Sequence, residues 1–213
     1  MIKAVVFDFD GVLVESVDIK TNAFAKLFEN EGPEIVKQVV DYHVRHTGVS
    51  RFDKIKYFYK TLLKKELAER KFNELCERFS GLVLEEVVNA PYVKGGREFL
   101  EAYSAVYKCF IASATPQEEI EEIAQKRKMA RYFAGIYGAP KLKSTIVKEI
   151  LSGNRLSPGE AVYVGDAMSD YSAAKDNGVR FIARINGNAG IFAAIDCLKI
   201  NDLSGLSSIL GSL

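Results

Sequence analysis

Strand-like and helix-like patterns alternate from Pro91 to the C-terminus, and that alternation restricts the fold of this chain more than any other feature. Short apolar, β-branched runs lie at residues 106–112, 133–138, 161–164 and 179–183, with a further short strand at 197–200. Between them are helical apolar stripes: Phe99, Leu100 and Tyr103; Ile120, Ile123 and Ala124; Ile146, Val147, Ile150 and Leu151; and a stretch closed by Asn177 and Gly178. Strands separated in this way by helices form a parallel sheet with right-handed crossovers. The run Ala4 to Phe7 has the composition of a strand buried on both faces and joins the same sheet. The fold class is α/β, a Rossmann-like parallel core with helices on both faces.

Residues 15–89 follow a different pattern. Four stripes of helical spacing succeed one another: Ala23, Leu27 and Phe28; Ile35 to Val44; Ile55, Phe58, Tyr59, Leu62 and Leu63; and Phe72 to Val87. Gly32-Pro33 and Gly48 break them, and Ser50 stands as an N-cap with Asp53 three residues on. With no strand signal between them, these helices cover one another as a small bundle. The chain therefore divides into a core of 1–14 and 90–213 and an all-helical insert of 15–89. Within the core, Thr115, Pro116 and Glu118 read as a helix start, Gly153 as a helix stop, 186–190 as a loop and 203–210 as a last helix.

Composition narrows the function classes. A formal net charge of +1 over 213 residues gives no global field for nucleic acid, and no basic run is interleaved with aromatics. No apolar run approaches the ~20 residues of a membrane span, and the N-terminal strand is not a signal peptide. Cys76, Cys109 and Cys197 lie far apart in apolar surroundings, as expected of reduced thiols in a cytoplasmic protein.

The chemistry gathers at strand ends. Asp8 and Asp10 follow the first strand, Ser113 and Thr115 the second, a lysine near 143 the third, and Asp166 and Asp170 the fourth. In an open α/β sheet those ends converge on one crevice. Taken singly, each residue has a simpler role as a cap, a turn or a surface charge. Together they supply several hard oxygen ligands, a hydroxyl and a cation. Such a set suits Mg²⁺ completed by a substrate phosphate, and a carboxylate placed to attack in line.

The segments Asp8-Phe9-Asp10-Gly11-Val12, Ile111-Ala112-Ser113-Ala114-Thr115, Lys143 and Gly165-Asp166-Ala167-Met168-Ser169-Asp170 together resemble the haloacid dehalogenase superfamily. Within it the chain looks most like the branch of phosphoglycolate phosphatases and β-phosphoglucomutases. That resemblance implies roles. Asp8 is the nucleophile that forms an aspartyl-phosphate. Asp10 protonates the leaving alcohol, then activates water, and lends its backbone carbonyl to the metal. Ser113 and the backbone of Ala114 and Thr115 hold the phosphoryl group beside Gly11. Lys143 neutralises charge, and Asp8, Asp10, Asp166 and Asp170 form the Mg²⁺ site. The helical insert is the counterpart of the family's cap.

Two departures stand out. The third motif reads Ala139-Pro140-Lys141-Leu142-Lys143, which leaves Lys141 as a rival to Lys143; Lys143 is preferred because it directly precedes a helical stripe. Val12 stands where many phosphatases of this branch carry threonine. In the insert, Arg51 beside the Gly48 turn is a candidate for a second phosphate or carboxylate of the substrate; His43, Arg45 and His46 just before it either add charge to the substrate mouth or face solvent, and the second is expected. The expected activity is Mg²⁺-dependent hydrolysis of a small phosphorylated metabolite. The alternative is a phosphomutase acting on a sugar phosphate, and a third reading is a silent binding protein on the same fold.

Overall fold

The structure, a computed structural model, describes residues 1–186 and 189–213. The strands are β1 (Ala4–Phe7), β2 (Lys108–Pro116), β3 (Phe133–Ala139), β4 (Ala161–Gly165), β5 (Arg180–Arg184) and β6 (Leu198–Ile200). They form one parallel sheet in the order β3-β2-β1-β4-β5-β6, so β1 lies in the interior of the sheet between β2 and β4. The order steps outward from β1 in both directions, which places a crevice at the carboxyl ends of β1, β2 and β4.

Alternation along each strand assigns the two faces. Val5, Phe7, Cys109, Ile111, Val162 and Val164 point to one side, where they meet α5 (Gly96–Tyr103), α6 (Gln117–Lys126) and α9 (Leu206–Ser212). Ala4, Val6, Phe110, Ala112 and Tyr163 point to the other, against α7 (Lys143–Gly153) and α8 (Met168–Asp176). Phe7 is fully buried and meets the Phe99 ring edge-on at 5.8 Å.

Between β1 and α5 come the four remaining helices, α1 (Val17–Leu27), α2 (Pro33–Arg45), α3 (Arg51–Tyr57) and α4 (Glu69–Asn89). No strand interrupts them. Phe24, Phe28, Phe58 and Phe79 form their aromatic centre, with the rings of Phe24 and Phe79 at 4.4 Å and those of Phe28 and Phe58 at 5.3 Å. Truncating a ring in such a centre costs about 3–5 kcal/mol. The apolar cluster runs without a break from these rings to the α5–α6 face of the sheet.

Several local expectations shift. Ser50 caps α3 as read, accepting from the Asp53 N–H at 3.2 Å. The third stripe, however, is not one α-helix: α3 passes into a wider π-helical turn, Phe58–Leu63, that keeps Phe58 and Tyr59 inward. Thr115 does not cap a helix, because β2 continues to Pro116 and the threonine hydroxyl is taken by Asp10. α7 runs through Gly153 to an Asn154 cap, and the last helix starts at Leu206 rather than 203. In the loop expected at 186–190, Ala189–Phe192 is a 3-10 turn, while residues 187 and 188 lie outside the described residues.

Candidate active site

β1 ends in two carboxylates whose surroundings differ. Asp8 is 4% exposed, and its N–H bonds the Val164 carbonyl, which extends the ladder with β4 by one residue. Its carboxylate accepts from Lys143 Nζ at 2.9 Å and from the Phe9 N–H at 2.7 Å. Lys143 also reaches Asp170 at 2.7 Å, at the start of α8. Lys141 is half-exposed and pairs with Glu149, so Lys143 is the lysine at the sheet end. Burial works against the Lys143 ammonium, but Asp170 and Asp8 outweigh it and hold its pKa above the ordinary lysine value.

Asp8, Asp166 and Asp170 bring one oxygen each within 4.8 Å of one another, and all three are buried. Burial and then Asp170 push Asp8 up to about 7 against the pull of Lys143. Burial, Asp8 and Asp170 push Asp166 well above the carboxylate range. Three carboxylates face one ammonium, which leaves a deficit of two positive charges. One divalent cation of hard character matches both the deficit and the donor set, and Mg²⁺ is such an ion. Asp170 is the least open of the three. Its oxygens accept from Lys143, from the Tyr163 hydroxyl at 2.8 Å and from the Ala167 N–H at 3.0 Å.

Asp10 is held apart from that cluster. Its carboxylate accepts from Ser16 Oγ at 2.7 Å, from Thr115 Oγ at 3.1 Å and from Lys20 Nζ. Burial alone would raise its pKa, but Lys20 leads the groups that bring it below the ordinary value. Ser113 Oγ accepts from the Thr115 N–H at 3.1 Å and fixes the end of β2. Gly11 has φ +74°, and a side chain there would overlap the Asp166 carboxylate, so glycine lets the turn pass under the acidic cluster. Arg184 of β5 pins this turn, donating to the Gly11 carbonyl at 3.0 Å and pairing with Glu15.

The helices of 15–89 supply the opposite wall of a cleft with about 500 Å³ of empty space, its open mouth included. Asp8, Asp10, Ala114, Thr115 and Asp166 line one side; Lys20, His43, Arg51 and Lys54 line the other. Arg51 does stand at this cleft, but its guanidinium is forked onto Glu119 of α6, with Nη1 at 2.8 Å from Oε2, and also donates to Ser80 at 2.6 Å. The fork read from the sequence as an anion binder is therefore already occupied. His43 is a correction: it is buried rather than solvated, its ring lies 4.9 Å from Phe24, and its Nδ1 accepts from Lys54 at 2.8 Å. Burial and the neighbouring Lys54 lower the His43 pKa to about 2, so the ring is neutral. Burial and Lys20 bring Lys54 down to about 7. His46 does face outward, stacked on Tyr42.

Lys20, Lys54, Glu119 and Tyr163 were invisible as site residues in the sequence. Only Lys20 left a trace, because Ser16 and Lys20 stand one helical turn apart just after the paired aspartates.

Residues 5–184, most of the chain, match the family described as haloacid dehalogenase-like hydrolase. The chain belongs to that family. Among haloacid dehalogenase-like hydrolases it is 25% identical, over 84% of its length and 83% of the relative's, to a phosphorylated carbohydrates phosphatase from Thermotoga maritima. A β-phosphoglucomutase from Clostridium difficile superposes with a TM-score of 0.79 at 18% identity, covering 100% of this chain and 98% of the other. A predicted phosphoglycolate phosphatase from Haemophilus somnus gives 0.77 at 19%, covering 98% and 97%. These structural likenesses establish the fold of this hydrolase.

Proposed function

We propose that this hydrolase is a Mg²⁺-dependent phosphatase of small phosphorylated metabolites that works through an aspartyl-phosphate on Asp8. One observation carries the reading: a buried carboxylate at the end of β1 faces a cleft, braced by Lys143 and beside two further carboxylates. Asp8 attacks phosphorus in line, and the ester P–O bond breaks with its electron pair going to the alkoxide. Asp10 gives that alkoxide a proton. Asp10, ionised again, then takes a proton from water, whose oxygen attacks phosphorus. The acyl–phosphate bond breaks, Asp8 is restored and inorganic phosphate leaves.

Ser16, Lys20 and Thr115 favour the ionised form of Asp10, which suits the water step. Ser113 and the backbone at Ala114 and Thr115 hold the phosphoryl oxygens, Gly11 gives them room, and Lys143 balances their charge. The carboxylates of Asp8 and Asp166 and the Asp10 carbonyl would hold Mg²⁺, with Asp170 orienting Lys143 and the loop. When bound there, the ion supplies neutralisation of charge on the phosphoryl oxygens. The helices of 15–89 act as a cap over the core of 1–14 and 90–213, and within it Arg51 braces the cap against Glu119.

The test is phosphate release with Mg²⁺ from a panel of small phosphomonoesters, with Asp8→Asn beside the native chain. The native chain turns over at least one of them, and Asp8→Asn loses about 10⁴-fold or more in kcat. Substantial activity in that variant removes Asp8 as the nucleophile. Valine at position 12, where many phosphatases of this branch carry threonine, supports a phosphomutase as the second reading. Turnover that requires a bisphosphate activator and releases no phosphate would establish it.

A further inference from the structure

The cap wall of the cleft carries three cations beside the neutral His43, and two of them are matched. Lys20 holds Asp10, and Arg51 holds Glu119. Lys54 is different. It is 1% exposed, and among the described residues no carboxylate lies within ion-pair distance of its Nζ. Its partners are neutral: His43 Nδ1 at 2.8 Å and the Thr47 carbonyl at a marginal 3.4 Å. The Phe24 ring stands 5.5 Å away. The other nitrogen of the same histidine, Nε2, is buried with no hydrogen-bond partner. Asp10 and Asp166 favour this charge only from across the cleft, beyond ion-pair distance, while their oxygens accept from Lys20 and Asn186.

A buried ammonium without a counter-charge is costly, and the cost falls when an anion enters. His43 holds the Lys54 nitrogen at 2.8 Å, so the group is positioned before any ligand arrives. The phosphatase reading places the phosphoryl group at Asp8, on the opposite wall of the same cleft. We propose that Lys54 is a specificity residue that binds a second anionic group of the substrate. The substrate class is then a phosphomonoester carrying a carboxylate or a second phosphate at the end remote from Asp8. A neutral sugar phosphate leaves Lys54 uncompensated.

The test is calorimetric binding to the full chain with Mg²⁺, using three non-hydrolysable probes of similar length: propylphosphonate, phosphonopropionate and propane bisphosphonate. The native chain binds at least one of the two probes with an anion at both ends about tenfold or more tightly than propylphosphonate, as one charge-assisted pair provides. The tighter of the two identifies carboxylate or phosphate as the second group. Lys54→Gln brings the ratio close to one, and Lys54→Arg keeps most of it. Equal binding of all three probes by the native chain, binding of none, or an unchanged ratio in Lys54→Gln overturns the assignment. If Lys54→Gln does not fold, the native ratio and Lys54→Arg decide. Discrimination between probes without phosphate release from any ester would instead sink the phosphatase reading and leave the anion site standing.

Discussion

The two walls of the cleft are built on opposite electrostatic plans. On the sheet side, acid is concentrated: Asp8, Asp166 and Asp170 crowd together, and Lys143 is shared between two of them. On the helical side, base is dispersed: Lys20, Arg51 and Lys54 come from two helices, the first two each paired with a separate carboxylate and the third with a neutral histidine. Strand ends explain the first plan. Parallel neighbours one strand apart deliver side chains to one place, so carboxylates far apart in sequence converge. Helical faces explain the second, because each turn offers one inward side chain whose neighbours come from other helices. Convergence leaves a deficit for a cation to fill, whereas dispersion leaves a single ammonium for an anion.

The largest effect should come from breaking the bond between the walls. Glu119→Ala strands the Arg51 guanidinium in a buried setting and is expected to destabilise the fold by about 3–5 kcal/mol, read from denaturant melts. A loss of under about 1 kcal/mol would mean that water replaces Glu119 there and that the walls part easily.

A smaller effect tests the acidic wall. Without a cation, Asp8 binds its proton in the folded chain up to about pH 7, against an ordinary value of 3.8, so stability falls as pH rises through that window. Mg²⁺ at about a hundredfold its dissociation constant should add about 2.7 kcal/mol near pH 8 and much less near pH 5, where protons occupy the same oxygens. Equal gains in calorimetry at both pH values would place the ion elsewhere.

The smallest effect concerns Lys20, where the walls meet. Lys20→Met frees Asp10 from its cation, and its pKa then rises toward the ordinary carboxylate range. The acidic limb of the kcat profile, where Asp10 must be ionised for the water step, should move up by about one pH unit. An unmoved limb would mean that Ser16 and Thr115 hold Asp10 by themselves.

Legibility in the sequence follows the same division. The β1 run with its paired aspartates, Gly165-Asp166 and Lys143 were readable because each sits where a strand pattern ends or a helix pattern starts. Ser50 and Asp53 were readable because a cap is a local contact. Thr115 was misread for the same reason: its local pattern matches a cap, but its partner Asp10 lies 105 residues away and competes successfully for the hydroxyl. His43 and Lys54 were invisible as a pair. Their contact joins two helices whose mutual rotation no periodicity encodes.

Gly48 gives the cleft a mechanical dimension. It lies in the turn before α3, directly against the loop that carries Asp166, and a methyl group there would overlap Ser169 and come within 2.8 Å of the Ala167 side chain. The Ser169 hydroxyl can rotate aside, but the Ala167 Cβ is fixed to the backbone and cannot. Residue 48 is thus a spacer of zero thickness between cap and core, and any larger residue would act as a wedge. The reach from Lys54 to Asp8, and with it the length of ligand that can touch both, is set by a residue of the same cleft that has no side chain.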